Sequence, residues 1–292
     1  MLLVILFYCS TYLIPVHAGR DELYDAVFFA NVEGVKSLLE NRDNANSPHI
    51  DVNHVERNHG RTALMMCGMA DLDLDLESSR PGQRRALDES CRSIGMELRK
   101  AGTNMTLIDF AGWDALHHAC VRGMTRFADY LITSCKLPVD RGDNEGLTPL
   151  MKASGHFFIE TVDMLLLKAK ANALLLDHKG RSAVHIAVQA AVLNETYVPF
   201  LRKMLDLLPP DMAEPLDEPH KRSPLHYSLI GKGSFAVAKA LIDKGADLSR
   251  RDGFGVSPYE MTSNAQIKTL IAVASAERAE RAHQEWLAKR EL

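Results

Sequence analysis

Apolar residues along the chain fall into short clusters at helical spacing, and the clusters come in pairs. The more apolar member of each pair is seen at Phe127-Ala-Asp-Tyr-Leu-Ile132, Val162-Asp-Met-Leu-Leu-Leu167, Leu201-Arg-Lys-Met-Leu-Asp-Leu-Leu208 and Ala236-Val-Ala-Lys-Ala-Leu-Ile242. Apolar residues three and four apart predict an amphipathic helix with one buried stripe. Ahead of these clusters lie segments carrying small residues at Ala119, Ala153 and Ala187, which let neighbouring helices approach closely. Turns close the units, most clearly Gly245-Ala-Asp-Leu248, with Gly102-Thr-Asn-Met105 in the matching place. The expected architecture is all-α, built from helix pairs separated by turns.

The pairs are copies of one unit. A turn phrase recurs at Asp109-Phe-Ala-Gly112, Asp143-Asn-Glu-Gly146, Asp177-His-Lys-Gly180 and Asp252-Gly-Phe-Gly255, and glycines 112, 146 and 180 are spaced by 34 residues. A helix-start phrase follows at Asp114-Ala-Leu-His117, Thr148-Pro-Leu-Met151, Ser182-Ala-Val-His185 and Ser257-Pro-Tyr-Glu260, with further copies at Thr62-Ala-Leu-Met65 and Ser223-Pro-Leu-His226. Asp and Gly suit a tight turn, Gly because it tolerates positive φ and Asp because its side chain bonds nearby amides. Thr or Ser supplies an N-cap, and Pro fits the first helical turn, where no donor is needed.

These phrases resemble the ankyrin repeat, with its T-P-L-H-x-A helix start and G-A-D ending. The resemblance covers about residues 21–275 and implies an ankyrin-repeat solenoid: stacked helix-turn-helix units with projecting β-turns, curved into an array. About six repeats are expected in a domain of residues 19–275, preceded by a degenerate N-terminal unit at 21–40 and followed by a charged helical tail at 276–292. Two units are too long: Gly60 to Gly112 is 52 residues, and Gly180 to Lys221, the residue in the glycine place, is 41. Both excesses, near 69–92 and 191–198, are expected between first and second helix, as a solvated loop or an extended first helix. By the resemblance, both would decorate the rim opposite the β-turns.

Composition is that of a globular protein, with 46% hydrophobic and 25% charged residues, and a net charge of −4 gives no electrostatic case for nucleic acid. Residues 1–19 contain no Asp, Glu, Lys or Arg. The stretch Leu2–Val16 has the length of a signal-peptide core and precedes Val16-His17-Ala18, so residues 1–18 read as a signal peptide. An uncleaved anchor or an apolar cap on the first repeat are the alternatives. The C-terminal Lys289-Arg290-Glu291-Leu292 resembles a retention signal of the K-D-E-L type but departs from it at Arg290. Together the ends point to the endoplasmic reticulum lumen, with the cytoplasm as the alternative. Asn104-Met-Thr106 and Asn194-Glu-Thr196 are candidate glycosylation sequons in that setting.

Catalysis and metal binding find no footing in the pattern. The resemblance implies that His117, His185 and His226 act structurally, bonding backbone of the adjacent turn. His49, His54 and His59 are spaced by five, on no common helical face and without a nearby Cys pair. Asp71-Leu-Asp-Leu-Asp-Leu-Glu77 lacks the Gly-bearing turn of a Ca²⁺ loop. Cys67 and Cys120 read as small core residues; equivalent first helices lie about 10 Å apart, beyond disulfide reach. No cysteine has a persuasive His/Asn partner, and no phosphate-loop, Rossmann, G-x-S-x-G or H-E-x-x-H motif is present. No cofactor, metal or catalytic residue is expected.

The expected role is that of a monomeric, non-enzymatic scaffold binding a protein on its concave face; an enzyme-targeting subunit and a membrane-tethered cytosolic adaptor are the alternatives. In this family the variable positions follow the turn Gly and the His. Here they are Trp113, Leu147, Arg181, Arg222 and Val256, then His118, Lys152, Ile186 and Tyr227. Trp113, Arg181, Arg222 and Tyr227 are the strongest candidates by residue type, with His118 and Lys152 beside them and Phe254 nearby. The competing reading is that such a side chain merely packs on its neighbouring turn.

Overall fold

Each helix-start phrase lies where a helix begins. The computed structural model describes residues 22–42, 50–67, 69, 81–208, 216–217 and 220–290. The backbone amides of His117, Met151 and Glu260 donate to the side chains of Asp114, Thr148 and Ser257 at 3.0, 3.3 and 3.3 Å, satisfying donors that a helix end leaves open. Pro149, Pro224 and Pro258 occupy the first helical turn.

The described units run α1 (Glu22–Phe28) with α2 (Val32–Asn41), then a 3₁₀ turn (Ala63–Met66) with α3 (Pro81–Lys100). Next come α4 (Ala115–Val121) with α5 (Thr125–Thr133), and α6 (Pro149–Gly155) with α7 (Ile159–Asp163), which continues as a π turn. Then follow α8 (Ala183–Leu193) with α9 (Val198–Leu207), α10 (Pro224–Leu229) with α11 (Phe235–Asp243), and α12 (Pro258–Met261) with α13 (Ala265–Arg290). No β-strand occurs among the described residues; Val55 and Thr62 form an isolated bridge. The fold is the all-α repeat solenoid.

Leu116, Leu150, Val184 and Leu225 of the first helices and Leu131, Leu165, Leu201 and Leu241 of the second are buried in one continuous core. Cys67, Ala119, Ala153, Ala187 and Ser228 are buried at one repeat position, where a larger side chain would push units apart. Cys67, Cys91, Cys120 and Cys135 are free thiols, and burial pushes the Cys120 thiol well up, which leaves it inert.

Successive turns are tied amide to carbonyl. Phe110 N–H donates to His59 O at 2.8 Å, Asn144 N–H to Ala111 O at 3.0 Å, and His178 N–H to Glu145 O at 2.8 Å; Gly253 N–H repeats the bond to His220 O. Gly112, at φ +80°, shows why the turn needs glycine: a Cβ there would meet the Asn144 amide nitrogen at 2.8 Å. Lys221 accepts the same left-handed conformation, at φ +53°, in the place read from the sequence as the glycine position.

The inserts differ from expectation in one respect. Residues 81–92, assigned from sequence to a loop or an extended first helix, form the start of the second helix, α3. Within this segment Asp88 is buried and has a specific task described below. In the second insert the first helix does lengthen, to Leu193, and a 3₁₀ turn (Glu195–Tyr197) follows. Residues 1–18, His49, Asp71 to Glu77 and Glu291-Leu292 lie outside the described residues. At the C-terminus, α13 crosses residue 275 without a break. Arg278 is still held by the array, donating to Ala246 O at 2.6 Å and Ile242 O at 2.9 Å.

Candidate protein-binding surface

The first helices and β-turns line one side of the stack, and its geometry rests on the turn aspartates. Asp109 Oδ1 accepts the amides of Ala111 and Trp113, both at 2.9 Å, and Asp143, Asp177 and Asp252 repeat the arrangement two and four residues on. Each second oxygen then takes a side chain. His118 Nε2 donates to Asp109 at 3.0 Å, Lys152 Nζ to Asp143 at 2.7 Å, Arg181 Nη2 to Asp177 at 2.7 Å, the Tyr227 hydroxyl to Asp217 at 2.9 Å and Arg222 Nε to Asp252 at 3.4 Å.

Five of the seven candidate contact residues are therefore spoken for inside the molecule. His118 is a correction: at 2% exposure it has no surface to offer, and burial lowers its pKa to about 4, so the neutral ring serves as a donor to Asp109. Lys152 is corrected likewise, being buried along its length. Desolvation lowers its pKa, with Asp143 opposing. Arg181, Arg222 and Tyr227 keep part of their surface; burial, then the Asp217 bond, raises the Tyr227 hydroxyl. Trp113 is half-buried, with Lys152 Nζ 3.9 Å from its ring centre and the His118 ring at 5.1 Å. Only Phe254 stands open, at 68% exposure, beside His220 and Arg222.

Burial pushes the turn carboxyls up, but their hydrogen bonds outweigh it. Asp109 and Asp143 are held below the usual carboxylate range by His118 and Lys152 together with the turn amides, and Asp252 mainly by the Val256 and Phe254 amides. The repeat histidines sit behind this row. His117, His185 and His226 present Nε2 to the carbonyls of Leu147, Arg222 and Val256 in the next unit, at 3.2, 3.0 and 3.2 Å. Since Nε2 carries the proton for that bond, Nδ1 accepts from the Ser182 and Ser223 hydroxyls at 2.9 Å. In His117 the Nδ1 position faces the Asp114 carboxylate instead, at 2.8 Å.

One contact residue was missed from the sequence. Phe110, second in its turn phrase, lies over the preceding turn at Gly60 yet remains 65% exposed. It occupies neither of the two variable positions, though its place one residue after the turn Asp would have marked it as a tip. Asn104 and Asn194 are both exposed. Among the described residues, no group of three or more His, Cys, Asp or Glu side chains could hold a metal ion, and no helix is long and apolar enough to cross a membrane.

A family model of ankyrin repeats in three copies matches residues 89–177, and a single ankyrin repeat matches residues 220–253. Among solved structures, the chain is similar to the ankyrin repeat domain of Bcl-3, described as a unique member of the IkappaB protein family. That similarity has a TM-score of 0.65 at 20% identity and covers 88% of this chain and 100% of that one. It is also similar to the human ASB11 ankyrin repeat domain, with a TM-score of 0.60 at 17% identity over 87% of this chain and 98% of that one. Identities this low speak to fold alone. The family-model matches over residues 89–177 and 220–253, with the turn row, the capped helix starts and the histidine bonds, show that the chain carries ankyrin repeats on an ankyrin-type fold.

Proposed function

We propose that the chain is a non-enzymatic scaffold that binds a protein partner along its β-turn edge, in the early secretory pathway. The observation that carries the binding surface is the contrast along that edge. The polar side chains between the turns are taken up by turn aspartates, whereas Phe110 and Phe254 project from the edge at 65% and 68% exposure. Large aromatics held on a rigid frame bury much area at little entropic cost, the usual make-up of a binding hot spot. A photo-crosslinking residue at position 110 or 254 is expected to capture the partner. Phe110→Ala with Phe254→Ala is expected to weaken binding at least tenfold, roughly 1.4 kcal/mol. Undiminished binding by the double variant overturns the turn-edge assignment.

The compartment reading is supported by the uncharged apolar stretch in residues 1–18, which has the length of a signal-peptide core. N-terminal sequencing of the mature protein is expected to find Gly19 first. Recovery of Met1 or Leu2 would remove the cleaved signal and leave a membrane-tethered or cytoplasmic scaffold.

A further inference from the structure

Two sequons are exposed, and the repeat accounts for only one of them. Asn104 Oδ1 accepts Thr106 N–H at 3.0 Å and its hydroxyl at 2.8 Å. Asp247 makes the same pair of bonds with Ser249, at 2.9 and 2.7 Å, and Asn172 accepts from Leu174 N–H at 3.0 Å. Asn104 is thus the unit's ordinary turn residue, and its backbone amide is drawn to Asn53 Oδ1 of the preceding unit. Its triplet follows from turn chemistry.

Asn194 has no such counterpart. It lies in the second insert, beyond α8, where residues 193–196 are all exposed and Leu193 reaches 71%. Oδ1 accepts Thr196 N–H at 3.1 Å and Thr196 Oγ1–H at 2.8 Å, and among the described residues no hydrogen bond uses Nδ2. The carbonyl side of the amide is occupied and the nitrogen is open to solvent.

Resting on the lumenal reading above, we propose that Asn194 is an N-glycosylation site. Its Nδ2 attacks C1 of an oligosaccharide carried on a lipid pyrophosphate. An N–C glycosidic bond forms, the C–O bond to the pyrophosphate breaks, the lipid pyrophosphate leaves, and the displaced amide proton passes to the transferase. Substitution at Nδ2 leaves Oδ1 free, so both bonds from Thr196 survive and the insert keeps its shape. The eleven-residue α8 sets Asn194 about 16 Å from the turn at its other end. The glycan therefore stands on the rim and leaves the β-turn edge open to a partner.

The test expresses the full chain in eukaryotic cells in two forms, with its own N-terminus and with a heterologous cleavable signal ahead of residue 20. The readout is endoglycosidase-sensitive mass, and enzymatic deglycosylation in heavy-oxygen water should label Asn194 as Asp. Asn194→Asp keeps the capping oxygen but lacks the nucleophile; it is expected to abolish the Asn194 shift with an unchanged circular dichroism spectrum, whereas Asn104→Asp leaves that shift in place. A shift in both forms supports the site and the secretory reading together. A shift only with the heterologous signal keeps the site and rejects the reading of residues 1–18. No shift at Asn194 in translocated, folded protein overturns the proposal, as does a shift that Asn104→Asp alone removes.

Discussion

Along the β-turn edge, the joints His59–Phe110, Ala111–Asn144, Glu145–His178 and His220–Gly253 are made in the same way: an amide is passed to the preceding turn, an acidic residue organises most of the turns, and often a His reaches the following one. Along the opposite rim the backbone turn recurs, the amides of Asn31, Met124, Phe158 and Ser234 returning to the carbonyls of Ala26, Ala119, Ala153 and Ser228, but the side-chain bonds differ from joint to joint. There Asp88 of α3 accepts the amides of Arg126 and Phe127 at 2.9 Å each, capping α5, whose own N-cap residue Met124 supplies no side-chain bond. Glu195 of the second insert takes the hydroxyl of Ser234, the N-cap of α11, at 2.6 Å. Tyr197 lies flat on Phe157 with ring centres 3.4 Å apart, and Phe200 meets Phe157 edge-on at 5.4 Å. Phe157 holds φ +62° where the preceding unit has Gly123, and the two rings hold it there. The inserts are thus braces between consecutive units. The turn edge carries the periodic coupling that makes the array one body; the rim carries local reinforcement at particular joints.

Acid should break the turn edge most completely, because its carboxylates titrate together. Asp109, Asp143 and Asp252, and Asp114 through His117, have folded pKa values depressed below 3.8. Their contribution is full above the unfolded value and is lost as pH falls through the folded values. Asp88 runs the other way: burial raises its pKa, so its contribution is present in acid and lost as pH rises through the folded value. The denaturant midpoint is expected to hold between pH 7 and 5 and drop steeply below 4, with Asp143→Asn flattening the drop. A midpoint indifferent to pH would mean the turns are not held by charge.

His185→Ala comes next. It removes a buried ring that links Ser182 to the Arg222 carbonyl and leaves that carbonyl unpaired. A cost of about 3 kcal/mol is expected, from cavity and lost bonds together. Because the loss falls at one joint, unfolding should split into two steps by fluorescence and circular dichroism. Asp88→Ala should cost less, about 1–2 kcal/mol for a lost cap, while Asp88→Asn should recover only part of it, because its single amide oxygen can accept one of the two N–H groups and its NH2 would face the other. If Asp88→Ala also splits the transition, the rim is part of the global coupling and the contrast between edges fails.

The turn edge was legible in the sequence because its chemistry is periodic. Asp-x-x-Gly, the Ser/Thr cap and the His recur at fixed offsets, so even Lys221 could be placed on a left-handed turn without its glycine. The rim was less legible, because its braces depend on side chains inside the two inserts, Asp88 bonding Arg126 and Phe127, Tyr197 lying back on Phe157 and Glu195 bonding Ser234, rather than on a phrase shared by all the units. Contact residues were half legible. Repeat position told which side Trp113, His118, Lys152, Arg181, Arg222 and Tyr227 share, but not that the turn aspartates would draw most of them inward. Phe110 and Phe254 stayed exposed because neither carries a group that an aspartate can recruit.

The smallest effect is the sharpest probe of the contrast. Unit by unit, the histidine bond is present at His117, His185 and His226 and missing where Met65 and Met151 stand. There a methionine sulfur faces the amide of Thr62 or Thr148 at 3.5 Å, within the same unit. Met151→His places an imidazole beside Thr148, whose hydroxyl can donate to Nδ1, and aims Nε2 at the carbonyl of Arg181, the residue equivalent to Leu147 and Val256. The site is already buried, so the gain should approach one net buried hydrogen bond, about 1 kcal/mol, less any mismatch in shape. Denaturant melts of the single variant, and of Met151→His combined with Thr148→Val, measure it. A gain that survives Thr148→Val would come from packing rather than from the oriented ring. A gain abolished by it would show that the turn edge is strengthened by completing its own repeat.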